Sequence, residues 1–168
     1  MKPKAAPGVH PGDRSKAVAA WLALVGGALG VHRLYLFGSR HFLAWLHPVP
    51  TTLGLIGLHR LTHLGQDDRL AWALVPLLGL MLSQGALHAI VYGLTPDDEW
   101  AARHNPGRAV TPTTWAPVLA AAMALLLGGG ILMGTIAYSG QKFFEWQMEA
   151  APATGQPLSA LTRAVLAA

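Results

Sequence analysis

Two stretches of this sequence, residues 71 to 94 and 114 to 138, run for more than twenty residues without a charged side chain. A helix needs about 20 apolar residues to cross the hydrocarbon of a bilayer, so both stretches predict membrane-spanning helices. Only 12% of the chain is charged, about half the usual share in a soluble domain, and the mean hydropathy is +0.38. These features indicate an all-α membrane protein.

Two further apolar segments, 17 to 38 and 42 to 58, precede these stretches. The first carries no charge up to Val31, and the second is short and contains Pro48 and Pro50. Taken as a close pair, they bring the prediction to four transmembrane helices in a small polytopic bundle. The predicted divisions are a tail (1–14), a helical hairpin (15–64), a second pair of transmembrane helices (65–140) with a short outer helix near 96–104, and an interfacial, flexible C-terminal tail (141–168).

Lysine and arginine residues lie singly beside the apolar segments, so they indicate topology and give no basic patch for nucleic acid. With four spanning helices, the two tails and the loop after the second segment share one side, which carries eight of the 12 basic residues. The positive-inside rule then predicts a multi-pass protein of the inner (plasma) membrane with both termini in the cytoplasm. The basic start and the apolar run also fit a cleaved signal peptide, and the sequence leaves that alternative open.

Within the first segment, His32 and Arg33 stand directly against apolar residues. Counting ~1.5 Å per residue from residue 17 predicts that Arg33 lies towards the far side of the hydrocarbon, near Tyr35. There Arg33 could act as an interfacial anchor, or bind a lipid phosphate or a partner's carboxylate. The apolar segments contain no acidic residue. Any internal partner of Arg33 is therefore a carbonyl, a hydroxyl or a histidine, or comes from the short outer helix, whose possible ion-pair partners are Asp97, Asp98 and Glu99.

The sequence around GVHRLYLFG, residues 30 to 38, resembles the two-transmembrane-helix (TM-two) domain family over about residues 14 to 64. Leu34 and Phe37 depart from the family pattern, and the second helix has an HPVP break. The resemblance implies a membrane-embedded helical hairpin and assigns no reaction. The matching positions are Ser15, Lys16, Ala19, Gly30, His32, Arg33, Tyr35, Leu36 and Gly38.

The third segment carries a second polar feature, because Gln84, His88 and Tyr92 recur every four residues and so share one helix face. This face predicts either a helix–helix contact or a polar path for a proton, ion or ligand. The small residues of an adjacent stripe would allow close helix packing; they are Gly85, Ala89 and Gly93.

Metal and catalytic chemistry find little support. The chain has no cysteine, and the recognised nucleotide, hydrolase and zinc-protease motifs are missing from the sequence. His59 and His63 have a spacing that could place two imidazoles on one metal, and are weak metal candidates. His32 and His88 could in principle ligate a haem from two helices. We expect no cofactor.

These observations predict a small, non-enzymatic integral membrane protein that packs or binds within the membrane. Its expected partners are membrane lipids, a second copy of the chain or another membrane protein. The alternative is a small permease or an ion- or lipid-binding protein that uses His32, Arg33, Gln84 and His88.

Overall fold

The computed structural model describes residues 13–110, 112–150 and 166, and every regular element in those ranges is helical. The prediction of an all-α protein is therefore confirmed for the part of the chain that is described. A short 3-10 turn, Gly27–Leu29, follows the first helix. The α-helices are α1 (Lys16–Gly26), α2 (Val31–Phe37), α3 (Phe42–Leu46), α4 (Pro48–Leu64), α5 (Arg69–Leu94), α6 (Asp97–His104) and α7 (Trp115–Ala150).

Two helices, α5 and α7, are long and apolar enough to cross a membrane. They have 26 and 36 residues, which corresponds to about 39 and 54 Å of helix. The two helices are antiparallel neighbours: Gly93 near the end of α5 lies against Pro117 near the start of α7. At the other end Arg69 donates a 3.2 Å hydrogen bond to Glu149. These are the two segments whose uncharged length predicted spanning helices.

The first apolar segment forms a hairpin that reverses at Gly30. This residue has a φ of +75°, a left-handed conformation that favours glycine because it has no Cβ. Beyond it α2 returns alongside α1, so that the Tyr35 hydroxyl accepts a 2.8 Å hydrogen bond from the Ser15 N–H. Leu36 packs with Ala19 in the same buried cluster. Because the segment enters and leaves the bundle at one end, the prediction of four spanning helices is not supported.

The turn of the hairpin lies level with about the middle of α5. Gly27 lies against Gly85, whereas Lys16 donates a 2.9 Å hydrogen bond to the carbonyl oxygen of Thr95, beyond the end of α5. Ten residues of helix separate Gly85 from Thr95, which is about 15 Å. The contact depends on glycine, because a Cβ on Gly85 would lie 2.9 Å from the carbonyl oxygen of Ala23.

The second apolar segment forms α3 and α4, which meet at His47. The backbone of His47 is itself helical, with φ −60° and ψ −41°, so the chain keeps its direction. The break arises because Pro48 and Pro50 have no N–H to donate to the preceding turn. Beside the break, the Thr51 hydroxyl donates a 2.6 Å hydrogen bond to the carbonyl oxygen of Ala28 in the hairpin turn.

The bundle has two polar ends, which we name the α6 end and the α4–α5 end. Lys16 forms an ion pair with Asp97 at the α6 end. Arg60 binds Asp68 through hydrogen bonds of 2.7 and 2.9 Å at the α4–α5 end. The described chain therefore starts at the α6 end, and α7 finishes at the opposite end. Lys16 and Glu149 thus lie at opposite ends of the bundle, whereas the predicted orientation placed the two tails on one side. The prediction that both termini are cytoplasmic stays a prediction.

The short helix predicted near residues 96 to 104 is α6. Its first turn is acidic and its last turn contains Arg103 and His104, which suits the positive and negative ends of the helix dipole. Residues 141 to 150 of the predicted flexible tail belong to α7, which continues to Ala150. The remaining part of that predicted tail, apart from residue 166, lies outside the described residues, as do residues 1–12 of the predicted N-terminal tail.

The buried residues of the bundle are mostly small, and its large apolar side chains point outwards. Ala23, Ala89 and Ala124 are fully buried where α1, α5 and α7 meet. A soluble protein has the opposite arrangement, because water drives large apolar side chains inwards. Exposed examples on α4, α5 and α7 are Leu55, Ile56, Leu87, Val91, Leu126 and Met133.

Candidate functional site

Polar side chains from three parts of the fold meet beside the Gly30 turn. α2 supplies two of them, the junction of α3 and α4 supplies one, and α5 supplies three that recur every four residues. We name this group the histidine cluster; it consists of His32, Arg33, His47, Gln84, His88 and Tyr92.

His32 lies at the centre of the cluster and is 0% exposed. Its ring centroid is 4.8 Å from that of His88, 6.0 Å from that of His47 and 5.9 Å from that of Tyr92. The left-handed glycine that precedes α2 by one residue turns the chain so that His32 faces α5. A Cβ at Gly30 would meet the carbonyl oxygen of Ala44 at 2.7 Å, so the turn also packs tightly against α3.

Hydrogen bonds orient the other two imidazoles. His47 Nδ1 lies 2.6 Å from the carbonyl oxygen of Leu43, and His88 Nδ1 lies 2.8 Å from that of Gln84. A carbonyl oxygen only accepts, so we assign the proton to Nδ1 in both rings. Each Nε2 then accepts a 3.3 Å hydrogen bond, in His47 from the Gln84 side chain and in His88 from the Arg33 guanidinium.

His32 and Arg33 keep unused hydrogen-bonding atoms inside this cluster. Both ring nitrogens of His32 and the Nε of Arg33 are buried without a hydrogen-bond partner in the described chain. A buried polar atom that lacks a partner typically costs about 1–3 kcal/mol. Arg33 also forms no ion pair with a described carboxylate. The cluster therefore offers a cation and free N–H donors that the fold itself does not use.

The structure separates Arg33 from its predicted acidic partners. Asp97 pairs with Lys16, and Glu99 pairs with Arg103 on its own helix at 2.5 Å. Asp98 also belongs to α6, and no described ion pair joins it to Arg33. The prediction of an ion pair between Arg33 and the acidic helix is therefore wrong, because the chain reversal brings Arg33 to α5 and leaves Lys16 nearest α6.

Tyr35, the third residue predicted from the motif, lies outside the cluster. Its hydroxyl binds the N–H of Ser15, and its ring lies beneath the Arg14 guanidinium, 5.4 Å from the ring centroid. Sequence reasoning also missed His47, which contributes one of the three imidazoles. The available signal was a histidine next to a proline break within an apolar segment.

A second polar group, at the α6 end, links α1, α6 and the start of α7. Lys16 binds Asp97, and the Thr113 N–H donates a 2.7 Å hydrogen bond to the same carboxylate. Burial alone would raise the pKa of Asp97, but the hydrogen bonds and the Lys16 charge outweigh it and hold this pKa below the ordinary value of 3.8. A cavity of about 260 Å³ lies here, lined in part by Lys16, Asp97, Trp100 and Asn105.

The weak metal candidates lie at the other end of α4. The rings of His59 and His63 are tilted by 38° with their centroids 4.0 Å apart, and His63 Nδ1 lies 2.9 Å from the His59 carbonyl oxygen. Both residues are exposed, and within the described residues no group of three or more metal-ligating side chains is placed to hold an ion.

The histidine cluster has no room for a haem in its present form. The rings of His32 and His88 approach each other directly and are tilted by 39°, which is closer than two axial ligands on opposite faces of a porphyrin can lie.

Comparison with protein-family models, with curated proteins and with solved structures finds no match. The resemblance of residues 14 to 64 to the two-transmembrane-helix family therefore stays a prediction.

Proposed function

We propose that this chain is an integral membrane protein that works by binding, without catalysis, and that the histidine cluster is its binding site. Support for a membrane location comes from the apolar lengths of α5 and α7 and from the large apolar side chains that face outwards. In lipid, helices associate through small residues, as the buried alanines and glycines of this bundle do.

Three elements cross the membrane in this proposal. The first consists of α3 and α4 together, the second is α5 and the third is α7. α3 and α4 together cover 42 to 64, about 34 Å of helix, and the hairpin of α1 and α2 enters from the α6 end. Among described residues, Arg14, Lys16, Arg40, Arg103 and Arg108 belong to the α6 end, and the opposite end has Arg60, Arg69 and Lys142. The positive-inside rule favours a cytoplasmic α6 end in the plasma membrane.

We expect single-cysteine labelling in intact cells to test this topology. The chain contains no cysteine of its own, so each introduced thiol gives a clean signal. A thiol-reactive, membrane-impermeant reagent should label cysteines at Gln66 and Gln147, and should label those at Ala5, Ser39 and Ala102 only after the membrane is opened. If cysteines at Ala5 and Gln66 are instead labelled under the same conditions, the two positions lie on one side of the membrane. That result would support the topology of four spanning helices.

One observation favours binding over packing as the role of the polar residues: His32 is fully buried, and neither of its ring nitrogens has a partner. A histidine that served only the fold would be bonded, as His47 is. The small-residue stripe of α5, which was predicted to allow close helix packing, is used within the chain. Ala89 packs with Ala23, and Gly93 packs against Pro117.

Replacing His32 by leucine tests this assignment. We expect His32→Leu to raise stability by about 1–2 kcal/mol, because leucine has a similar volume and removes unpartnered polar atoms. The matched variant His47→Leu should lower stability by about 1–3 kcal/mol, because it breaks two hydrogen bonds. Thermal unfolding of the purified variants in detergent measures both. A lower Tm for His32→Leu would make His32 a structural residue and contradict the proposed binding site.

A further inference from the structure

We propose that Arg33, with the ring N–H of His32 beside it, binds the anionic oxygens of a phosphate group. This inference rests on the proposed function, since it names the ligand class of the histidine cluster. Its two residues both contact the imidazole of His88, His32 through its ring and Arg33 through a 3.3 Å hydrogen bond. Both residues therefore lie against the same imidazole.

Charge balance is the first argument. Arginine stays ionised in proteins, and on insertion scales a cation at the centre of a membrane helix costs about 2.5–3.5 kcal/mol. His88 accepts a hydrogen bond from Arg33 but carries no negative charge to balance it. None of the ion pairs in the described chain includes Arg33, and Asp97 and Asp68 pair at the bundle ends with Lys16 and Arg60. The compensating anion must then come from outside the described chain.

The donor pattern is the second argument. Arg33 uses one terminal nitrogen on His88, while its Nε is buried and unbonded. The planar guanidinium presents neighbouring N–H groups in a fixed fork that matches two oxygens of a phosphate or carboxylate. His32 can add a further N–H, since a neutral imidazole always carries one ring proton. The buried unpartnered atoms of His32 and Arg33 are thus two N–H donors, one on each residue, and one acceptor, the other His32 nitrogen.

Depth favours phosphate over a carboxylate from a partner helix. Arg33 lies level with His88, seven residues below Thr95, which is about 10 Å from the α6 end. A lipid phosphate or a free phosphate that enters from that end can meet the guanidinium, since α2 runs back towards the same surface. Arg33 is only half-buried, so one side of its side chain stays open to such a ligand.

The test uses the full-length protein in an uncharged detergent, with Tm as the measurement. In one arm phosphatidylglycerol is added, with an uncharged glycolipid of the same chain length as the reference; in the other arm inorganic phosphate is added. At saturation we expect the Tm of the wild type to rise by roughly 5 °C or more. A rise with phosphatidylglycerol alone assigns the site to a lipid headgroup, and a rise with both assigns it to phosphate in general.

Three variants locate the effect. Arg33→Gln keeps a donor for His88 but loses the charge and the fork, so the rise should vanish. Arg33→Lys keeps the charge but loses the fork, so it should show a smaller rise in Tm. If Arg33→Gln does not fold, the smaller rise of Arg33→Lys is the test. Arg40→Gln removes an exposed arginine outside the cluster and should behave as the wild type.

The inference is overturned if neither phosphate source raises the wild-type Tm, or if Arg33→Gln and Arg33→Lys both respond as strongly as the wild type. These failures differ from failure of the proposed function. If His32→Leu stabilises the protein while phosphate has no effect, the cluster remains a binding site and only its ligand class is wrong.

Discussion

Gly85→Leu is expected to disrupt the bundle more than any other single change considered for this chain. A Cβ at this position would lie 2.9 Å from both the carbonyl oxygen of Ala23 and the Cα of Gly27. These atoms are backbone, so they cannot move aside as a flexible side chain can. Separating the hairpin from α5 should lower stability by about 3 kcal/mol or more, at the upper end for overpacked sites. Thermal unfolding in detergent measures the loss.

Gly130→Leu on α7 provides the matched control. Nothing lies within 4 Å of a Cβ built at Gly130, and leucine favours a helix over glycine by up to about 1 kcal/mol. The control should therefore be as stable as the wild type or slightly more stable. A similar loss in both variants would mean that the leucine itself, and not the contact of Gly85 with the hairpin, disturbs the protein.

Asp97→Asn is expected to have the second largest effect. The substitution leaves the Lys16 ammonium, whose side chain is only 10% exposed, without its carboxylate. It also weakens the hydrogen bond from the Thr113 N–H. Hydrogen bonds to charged groups contribute about 1.5–3 kcal/mol, so we expect a loss of about 2 kcal/mol at pH 7. Glu99→Gln breaks an exposed pair on the same helix and should cost at most about 0.5 kcal/mol.

The loss caused by Asp97→Asn should depend on pH. The folded pKa of Asp97 lies below its ordinary value of 3.8, so the ionised form stabilises the folded state at higher pH. That contribution is complete above about pH 5 and fades as the pH falls through the folded pKa. The Tm difference between wild type and Asp97→Asn should therefore shrink below about pH 4. A difference that is constant from pH 7 to pH 3 would contradict the role given to the Lys16–Asp97 pair.

Part of the histidine cluster could be predicted from the sequence. The four-residue spacing of Gln84, His88 and Tyr92 puts them on one face of α5 whatever that helix packs against. Arg33 stood out because a cation inside an apolar segment is costly. The contact of Arg33 with His88 could not be predicted, since it depends on how the hairpin packs. His47 belongs to the cluster only because the proline break and the Gly30 turn lie at the same depth.

The sequence by itself determined the features that depend on local chemistry. Long uncharged runs specify α5 and α7, because an apolar helix of that length satisfies its own backbone hydrogen bonds. The acidic first turn and basic last turn specify α6 through the helix dipole. Composition alone, with 12% charged residues, predicted a membrane protein.

The tertiary structure decided which way the chain runs after Gly30 and therefore which residues meet. Counting 1.5 Å per residue assumes one straight helix, and a single left-handed glycine reverses the path without changing the apolar pattern. The reversal leaves Lys16, at the start of α1, beside Asp97 at the α6 end and brings Arg33 to His88. These contacts join residues more than fifty positions apart, so they cannot be predicted from the local sequence.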